Sequence, residues 1–110
     1  MADVANSVAD RLRGDPAIHE FCARWAIARL ELFGSALRSD FGPESDIDIL
    51  VTFLDNASWS LLDHVRMEDE LAGIIGRDVD LVSRRAVARS HNWIRREAIL
   101  SSAEPIYAAG

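Results

Sequence analysis

Residues 46–53 read Asp-Ile-Asp-Ile-Leu-Val-Thr-Phe, and this run constrains the fold more than any other. A short apolar stretch bounded by turn residues is a buried strand. Side chains alternate between the faces of a strand. Asp46 and Asp48 therefore share one face, and Ile47, Ile49 and Val51 turn the other way into a core. Two like charges so close each raise the cost of ionising the other. The ordinary compensation is a divalent cation held by oxygen ligands. Upstream, separated from Asp46 by ten residues, stands Gly34-Ser35, where an apolar strand ends and a helical turn begins. Glycine lets an anion approach the backbone, and free N–H groups at a helix start favour a phosphate. The Ser35 hydroxyl adds one further hydrogen bond, although a serine there also serves as a plain helix cap. The pair of features predicts a Mg²⁺ site facing a small phosphate-binding turn.

A third carboxylate fits the same scheme. Asp80 lies in Val79-Asp80-Leu81-Val82, an acidic residue in an apolar strand expected beside the Asp46–Asp48 strand. Carboxylates from adjacent strands can hold two Mg²⁺ ions roughly 3.5–4 Å apart, clamping the attacking and leaving oxygens of phosphoryl-type transfer. Asp78 is a rival on the same face, nearer the strand end.

Composition removes several alternatives. The chain has 110 residues, 49% of them hydrophobic and 27% charged, enough for one core and one domain over 1–110. A net charge of −6 argues against a nucleic-acid-binding surface, whose affinity comes from clustered cations. All twelve basic residues are arginine, which excludes a catalytic lysine and a lysine-bearing P-loop. There is no apolar run of membrane-spanning length, and MADVANSVADRLRGD is not shaped like a signal peptide, so a cytoplasmic location is the expectation. Cys22, the single cysteine, sits between Phe21 and Trp25 and reads as an inert core thiol.

Periodicity organises the chain into helices over 3–13 and 16–25, a strand over 28–33, a helical turn at 36–38, turn chemistry over 41–45 and a strand over 46–53. An amphipathic helix over 60–75 follows, carrying Leu61, Leu62, Val65, Leu71, Ile74 and Ile75 as its apolar positions. A strand over 77–83, one or two helices over 84–101 and a short strand over 105–108 complete the pattern. This predicts an α/β (α+β) fold, a small mixed β-sheet flanked by helices, the helices gathered on one face.

FGSALRSDFGPESDIDILV, followed by DVDLV, resembles the minimal nucleotidyltransferases (MNT proteins) of the DNA polymerase beta-like superfamily, over roughly residues 28–107. Many members are antitoxins paired with HEPN-domain toxins. The resemblance implies that Gly34 and Ser35, with Arg38 and Ser45, contact the nucleotide. It further implies that Asp46, Asp48 and Asp80 bind two Mg²⁺ ions, and that Asp80 activates the incoming hydroxyl. The activity implied is Mg²⁺-dependent transfer of AMP from ATP to a hydroxyl, a tyrosine of a cognate HEPN-type toxin, with pyrophosphate released. Where the family commonly shows Arg-Gly after its Gly-Ser turn, this chain keeps Arg38 and has Ser39-Asp40 in place of the glycine. Asp40 in that position can support the loop by accepting from backbone amides. The alternative is a non-catalytic antitoxin that neutralises its toxin by stoichiometric binding. A small-molecule nucleotidyltransferase is weaker, because those enzymes carry a second helical domain that 110 residues do not supply.

The remaining chemistry-bearing residues have simpler readings. His19, His64 and His91 lack metal-ligand spacing, and Trp25, Trp59 and Trp93 read as packing, with Trp59 the best candidate for a partner or nucleobase surface. Arg38 either clamps a phosphate or pairs with Asp40 or Glu44. Arg84-Arg85, Arg89 and Arg95-Arg96 form the basic concentration of an acidic chain, either a solvated helical face or a contact for an acidic toxin surface or the triphosphate tail.

Overall fold

The computed structural model describes residues 11–34, 46–55 and 58–109, in which four strands and four helices follow helical residues 11–13. In chain order these are α1 (Pro16–Arg24), β1 (Ile27–Phe33), β2 (Ile47–Phe53), α2 (Leu61–Ile75), β3 (Val79–Ser83), α3 (Arg84–Ala88), α4 (Trp93–Ser102) and β4 (Glu104–Ala108). The strands form a single sheet in the order β3-β2-β1-β4. β1 runs antiparallel to both β2 and β4, and β2 runs parallel to β3. The sheet is therefore mixed, as the sequence predicts. The parallel pair is joined by α2, the crossover helix that parallel neighbours require.

Local chemistry sets the helix ends. Asp15 caps α1 by accepting from the Ala17 N–H at 2.9 Å, with Pro16 in the first helical position, where a missing N–H costs nothing. At the start of α2, Ser60 Oγ accepts from the Asp63 N–H at 3.1 Å and Asp63 Oδ2 accepts from the Ser60 N–H at 3.0 Å. This capping box satisfies two otherwise orphaned donors. The backbone hydrogen bond holds the Asp63 carboxyl below the ordinary aspartate value, aided by the serine hydroxyl. Gly76 ends α2 in a left-handed conformation at φ 83°, which an L side chain resists.

The core lies on both faces of the sheet. On one face Ile18, Phe21 and Cys22 of α1 and Met67, Leu71 and Ile75 of α2 meet Leu30, Leu32, Ile47, Ile49, Val51 and Leu81. On the other, Val87 of α3 and Ile99 of α4 pack on Phe33 and Leu50. The expectation of helices on one face is thus corrected. Residues 84–101 divide at Asn92, whose side chain accepts from the Arg95 N–H and starts a second helix. The resulting pair, α3 and α4, covers the second face. The amphipathic reading of residues 60–75 is also corrected at its start. The buried stripe of α2 is Met67, Leu71 and Ile75, whereas Leu61, Leu62 and Val65 are 81%, 60% and 44% exposed.

The third strand begins later than the alternation implied, at Val79. Arg77 and Asp78 lead into it, and the Asp78 carbonyl accepts from the Ile47 N–H at 2.9 Å. The outer edge of β3 is occupied by α2. Glu68 Oε2 accepts from the Leu81 N–H at 2.8 Å, and His64 Nε2 lies 2.7 Å from the Leu81 carbonyl oxygen. Side chains thereby cover a strand edge that would otherwise expose unpaired backbone groups. Cys22 is fully buried, and burial pushes its thiol up to about 12, consistent with an inert core residue.

Candidate active site

The three predicted carboxylates gather at one end of the sheet. Phe33 of β1, Asp48 of β2 and Asp80 of β3 are lateral partners in consecutive strand pairs. Laterally paired residues point to the same face, with neighbouring strands about 4.8 Å apart. Asp48 and Asp80 therefore stand side by side on the face that also carries Leu50 and Phe33. Asp46 lies immediately before β2, two residues from Asp48, and is exposed. Asp80 is exposed and Asp48 is half-buried, so the carboxylates open to solvent. Asp78 precedes β3 and is likewise exposed. Its backbone is tied to Ile47, whereas Asp80 is the residue in register with Asp48.

Gly34 fits this arrangement through what it lacks. It follows β1 at φ 67°, and a Cβ built on it would stand 2.5 Å from Asp48 Oδ2. Any larger residue would be strained by the backbone angle and would press on the carboxylate. Among the predicted nucleotide contacts, Gly34 thus borders the acidic group. Ser35, Arg38 and Ser45 lie outside the described residues, as do Asp40, Glu44 and the predicted turns at 36–38 and 41–45.

An ion pair on a buried carboxylate beneath the site escaped the sequence reading. Glu31 of β1 is only 2% exposed, and it shares the carboxylate face because it is the lateral partner of Leu50. Its Oε1 accepts from Arg84 Nη1 at 2.7 Å and lies 3.5 Å from Arg29 Nε. Arg84 begins α3 at the end of β3, so this bond reaches across β2 and ties the two flanking strands together. A glutamate between leucines in a strand otherwise turned inward was the available signal, but its partner is 53 residues away. Arg84 is accordingly committed to Glu31, and Arg96 donates to the Ser90 carbonyl at 3.0 Å.

The aromatic residues divide. Trp25 donates to Glu70 Oε2 at 2.7 Å and meets Trp59 edge-on with ring centroids 5.1 Å apart. Trp59 donates to the Trp25 carbonyl at 3.0 Å. Burial opposes ionisation of Glu70, but the Trp25 indole and the Arg24 guanidinium outweigh it and hold the carboxyl below the ordinary glutamate value. Trp93 departs from the packing expectation and is 63% exposed on the first turn of α4. His19 Nε2 lies 3.1 Å from the Arg13 carbonyl oxygen, with its ring edge-on to Tyr107.

The donor set at this end of the sheet is all oxygen, which suits a hard cation such as Mg²⁺. Among the described residues, no three acidic, histidine or cysteine side chains close into a ready-made metal cage. Mg²⁺ does not demand one. It is commonly held by one or two carboxylates, with substrate phosphates and water filling the remaining positions. Carboxylates open to solvent beside Gly34 are compatible with that mode. Among the described residues no helix is long and apolar enough to cross a membrane.

The nucleotidyltransferase domain family matches residues 17–104, and the chain belongs to it. The protein adenylyltransferase MntA of Thermococcus cleftensis is 34% identical over 68 residues, covering 62% of this chain and 67% of that protein. A Methanocaldococcus jannaschii protein provisionally assigned the same activity is 39% identical over 61 residues, and the chain spans 63% of its length. A solved structure provisionally assigned as a minimal nucleotidyltransferase superimposes with a TM-score of 0.66 at 35% identity, over 94% of this chain and 96% of that one. The MNT antitoxin fold also recurs in a complex with a tri-AMPylated HEPN toxin of Shewanella oneidensis. That match has a TM-score of 0.56 at 19% identity, over 96% of this chain and 73% of the other.

Proposed function

We propose that this chain transfers AMP from ATP to an aromatic hydroxyl of a cognate HEPN-type toxin and thereby neutralises it. The observation that carries the reading is the lateral register of Asp48 and Asp80 beside the positive-φ Gly34. Three features that are weak apart in the sequence meet at one end of one sheet. The relatives named adenylyltransferase, and the MNT fold found against an AMPylated toxin, support the choice of AMP and of a protein acceptor.

Asp46, Asp48 and Asp80 would hold Mg²⁺, which when bound supplies neutralisation of charge on the phosphates. Gly34 lets the triphosphate lie close to the backbone, with Ser35, Arg38 and Ser45 as its further contacts. Asp80, the outermost of the registered carboxylates, takes the proton from the acceptor hydroxyl. The acceptor oxygen then forms a bond to the α-phosphorus, and the bond from that phosphorus to the bridging oxygen breaks. Its electron pair leaves with pyrophosphate. The products are an AMP ester of the acceptor and pyrophosphate, and the proton passes from Asp80 to solvent. Catalysis of this kind is mainly positioning and charge stabilisation, which a rigid sheet end provides.

The test is incubation of the chain with ATP, Mg²⁺ and the small protein that co-purifies with it from its host, followed by intact-mass analysis of both. A mass gain of whole AMP units on the partner, absent with Asp48→Asn, is expected. A stable complex that neutralises the toxin equally well with Asp46→Asn/Asp48→Asn, and in which no mass is gained, would replace this reading with occlusion by binding.

A further inference from the structure

Beyond Asp80 on the same face, a cleft of about 180 Å³ opens between β3, α3 and α4, lined by Val82, Ala86, Val87, Arg95, Arg96 and Ile99, with Ser90 at its end. We infer that this cleft receives the aromatic ring of the acceptor side chain and presents its hydroxyl to Asp80. The inference rests on the adenylyltransferase reading and deepens it, because it assigns a site to the acceptor.

Position comes first. Gly34, Asp48 and Asp80 follow one another across β1, β2 and β3, so the sheet runs from the phosphate turn, through the carboxylates, to its β3 margin. In an in-line displacement the attacking group stands opposite the leaving group. With the triphosphate at the Gly34 side, the attacking hydroxyl must come from the β3 side. Val82, which lines the cleft, is two residues beyond Asp80 and points to the same face, which places that part of the lining about 6.5 Å along the strand. A phenolic side chain holds its oxygen at the far end of its ring from the backbone. A ring seated against Val82 can therefore direct that oxygen back toward Asp80.

Size and chemistry agree. A dry cavity of about 150 Å³ accommodates benzene, so this cleft has room for one ring and little more. Its floor is apolar: Val87 and Ile99 are each 7% exposed and Val82 packs against them. Arg95 and Arg96 stand at its wall. Arg96 is positioned by its bond to the Ser90 carbonyl. Guanidinium planes stack on aromatic faces. An apolar floor with a guanidinium wall suits a flat aromatic alcohol and gives little hold to a serine or threonine hydroxyl. This supplies a use for the arginines at the end of the chain that Glu31 does not engage.

The binding test needs neither metal nor nucleotide. N-acetyl-tyrosinamide, N-acetyl-serinamide and adenosine are titrated separately into the full-length chain, and the methyl resonances of Val82, Val87 and Ile99 are followed by NMR. Selective, saturable shifts with the tyrosine probe, abolished by Ala86→Trp, are expected. Shifts of these methyls with adenosine would assign the cleft to the nucleoside and overturn the proposal, as would no shift with the tyrosine probe. Ala86 is exposed, so filling the cleft from there leaves the core intact, which a thermal melt verifies. In the transfer reaction Ala86→Trp should raise the KM for the acceptor about tenfold, the affinity that burial of one ring is worth, and leave the KM for ATP unchanged. Transfer that proceeds with an unchanged acceptor KM defeats this inference alone. No AMP transfer by the wild-type chain, with the tyrosine probe still bound, defeats the functional reading instead.

Discussion

The two faces of the sheet are built on different principles. Against α1 and α2 the strands present Leu30, Leu32, Ile47, Ile49 and Val51, all essentially without solvent exposure. The opposite face carries the buried Glu31, the half-buried Asp48 and the exposed Asp80, and among the described residues Phe33, Leu50, Val87 and Ile99 form a small core there. The first face stabilises by removing apolar area from water. The second spends part of its area on charges that packing alone would not select. A single strand serves both purposes, because alternation along residues 46–53 sends isoleucines one way and aspartates the other.

Substitutions separate the two faces, beginning with the largest expected effect. Asp80→Asn should lower AMP transfer by about 10²–10⁴-fold, the range typical of a lost general base, measured as initial rate at saturating ATP. Gly34→Ala should lower transfer strongly by pressing a Cβ on Asp48 Oδ2. It should also cost roughly 1–2 kcal/mol in chemical denaturation, because φ 67° is unfavourable for alanine. On the opposite face, Ile49→Ala should cost about 2–5 kcal/mol of stability and slow transfer only through the unfolded fraction. Glu31→Gln should cost roughly 1–2 kcal/mol, because the buried carboxylate is lost while Arg84, over a third exposed, can turn to water, and Glu31→Leu/Arg84→Leu should recover most of that loss. Equal destabilisation by the single and double variants would remove the strut from the account.

The smallest effect is set by pH. The Glu70 carboxyl is held low by Trp25 and Arg24 against the cost of burial, so its stabilising contribution is present above the ordinary glutamate value of 4.5. It is lost as pH falls through the lower folded value. Urea unfolding followed downward from pH 5 should therefore show a steeper decline for the wild type than for Glu70→Gln. Parallel declines would exclude Glu70 as a contributor.

Legibility from sequence follows the range of each interaction. The placement of Asp46, Asp48 and Gly34 was readable because strand alternation and turn chemistry are local, and Asp80 was readable as an acidic residue in an apolar strand expected beside theirs, although its register with Asp48 was not. The Glu31–Arg84 pair was not readable, since nothing near Glu31 announces an arginine from another strand end. The second-face packing of α3 and α4 was equally hidden. It depends on the break at Asn92, and Val87 and Ile99 give too short an apolar signal to show which face they cover. Leu61, Leu62 and Val65 misled for a related reason. Helical periodicity marks an apolar stripe but does not say where the sheet beneath it stops.

The central claim is that the carboxylates are retained for transfer rather than for the fold. Activity and thermal stability measured together on Asp80→Asn test it most directly. Removing one of two side-by-side charges should abolish AMP transfer while the melting temperature stays equal or rises. Transfer that persists at the wild-type rate, or a melting temperature that falls in step with activity, would contradict it.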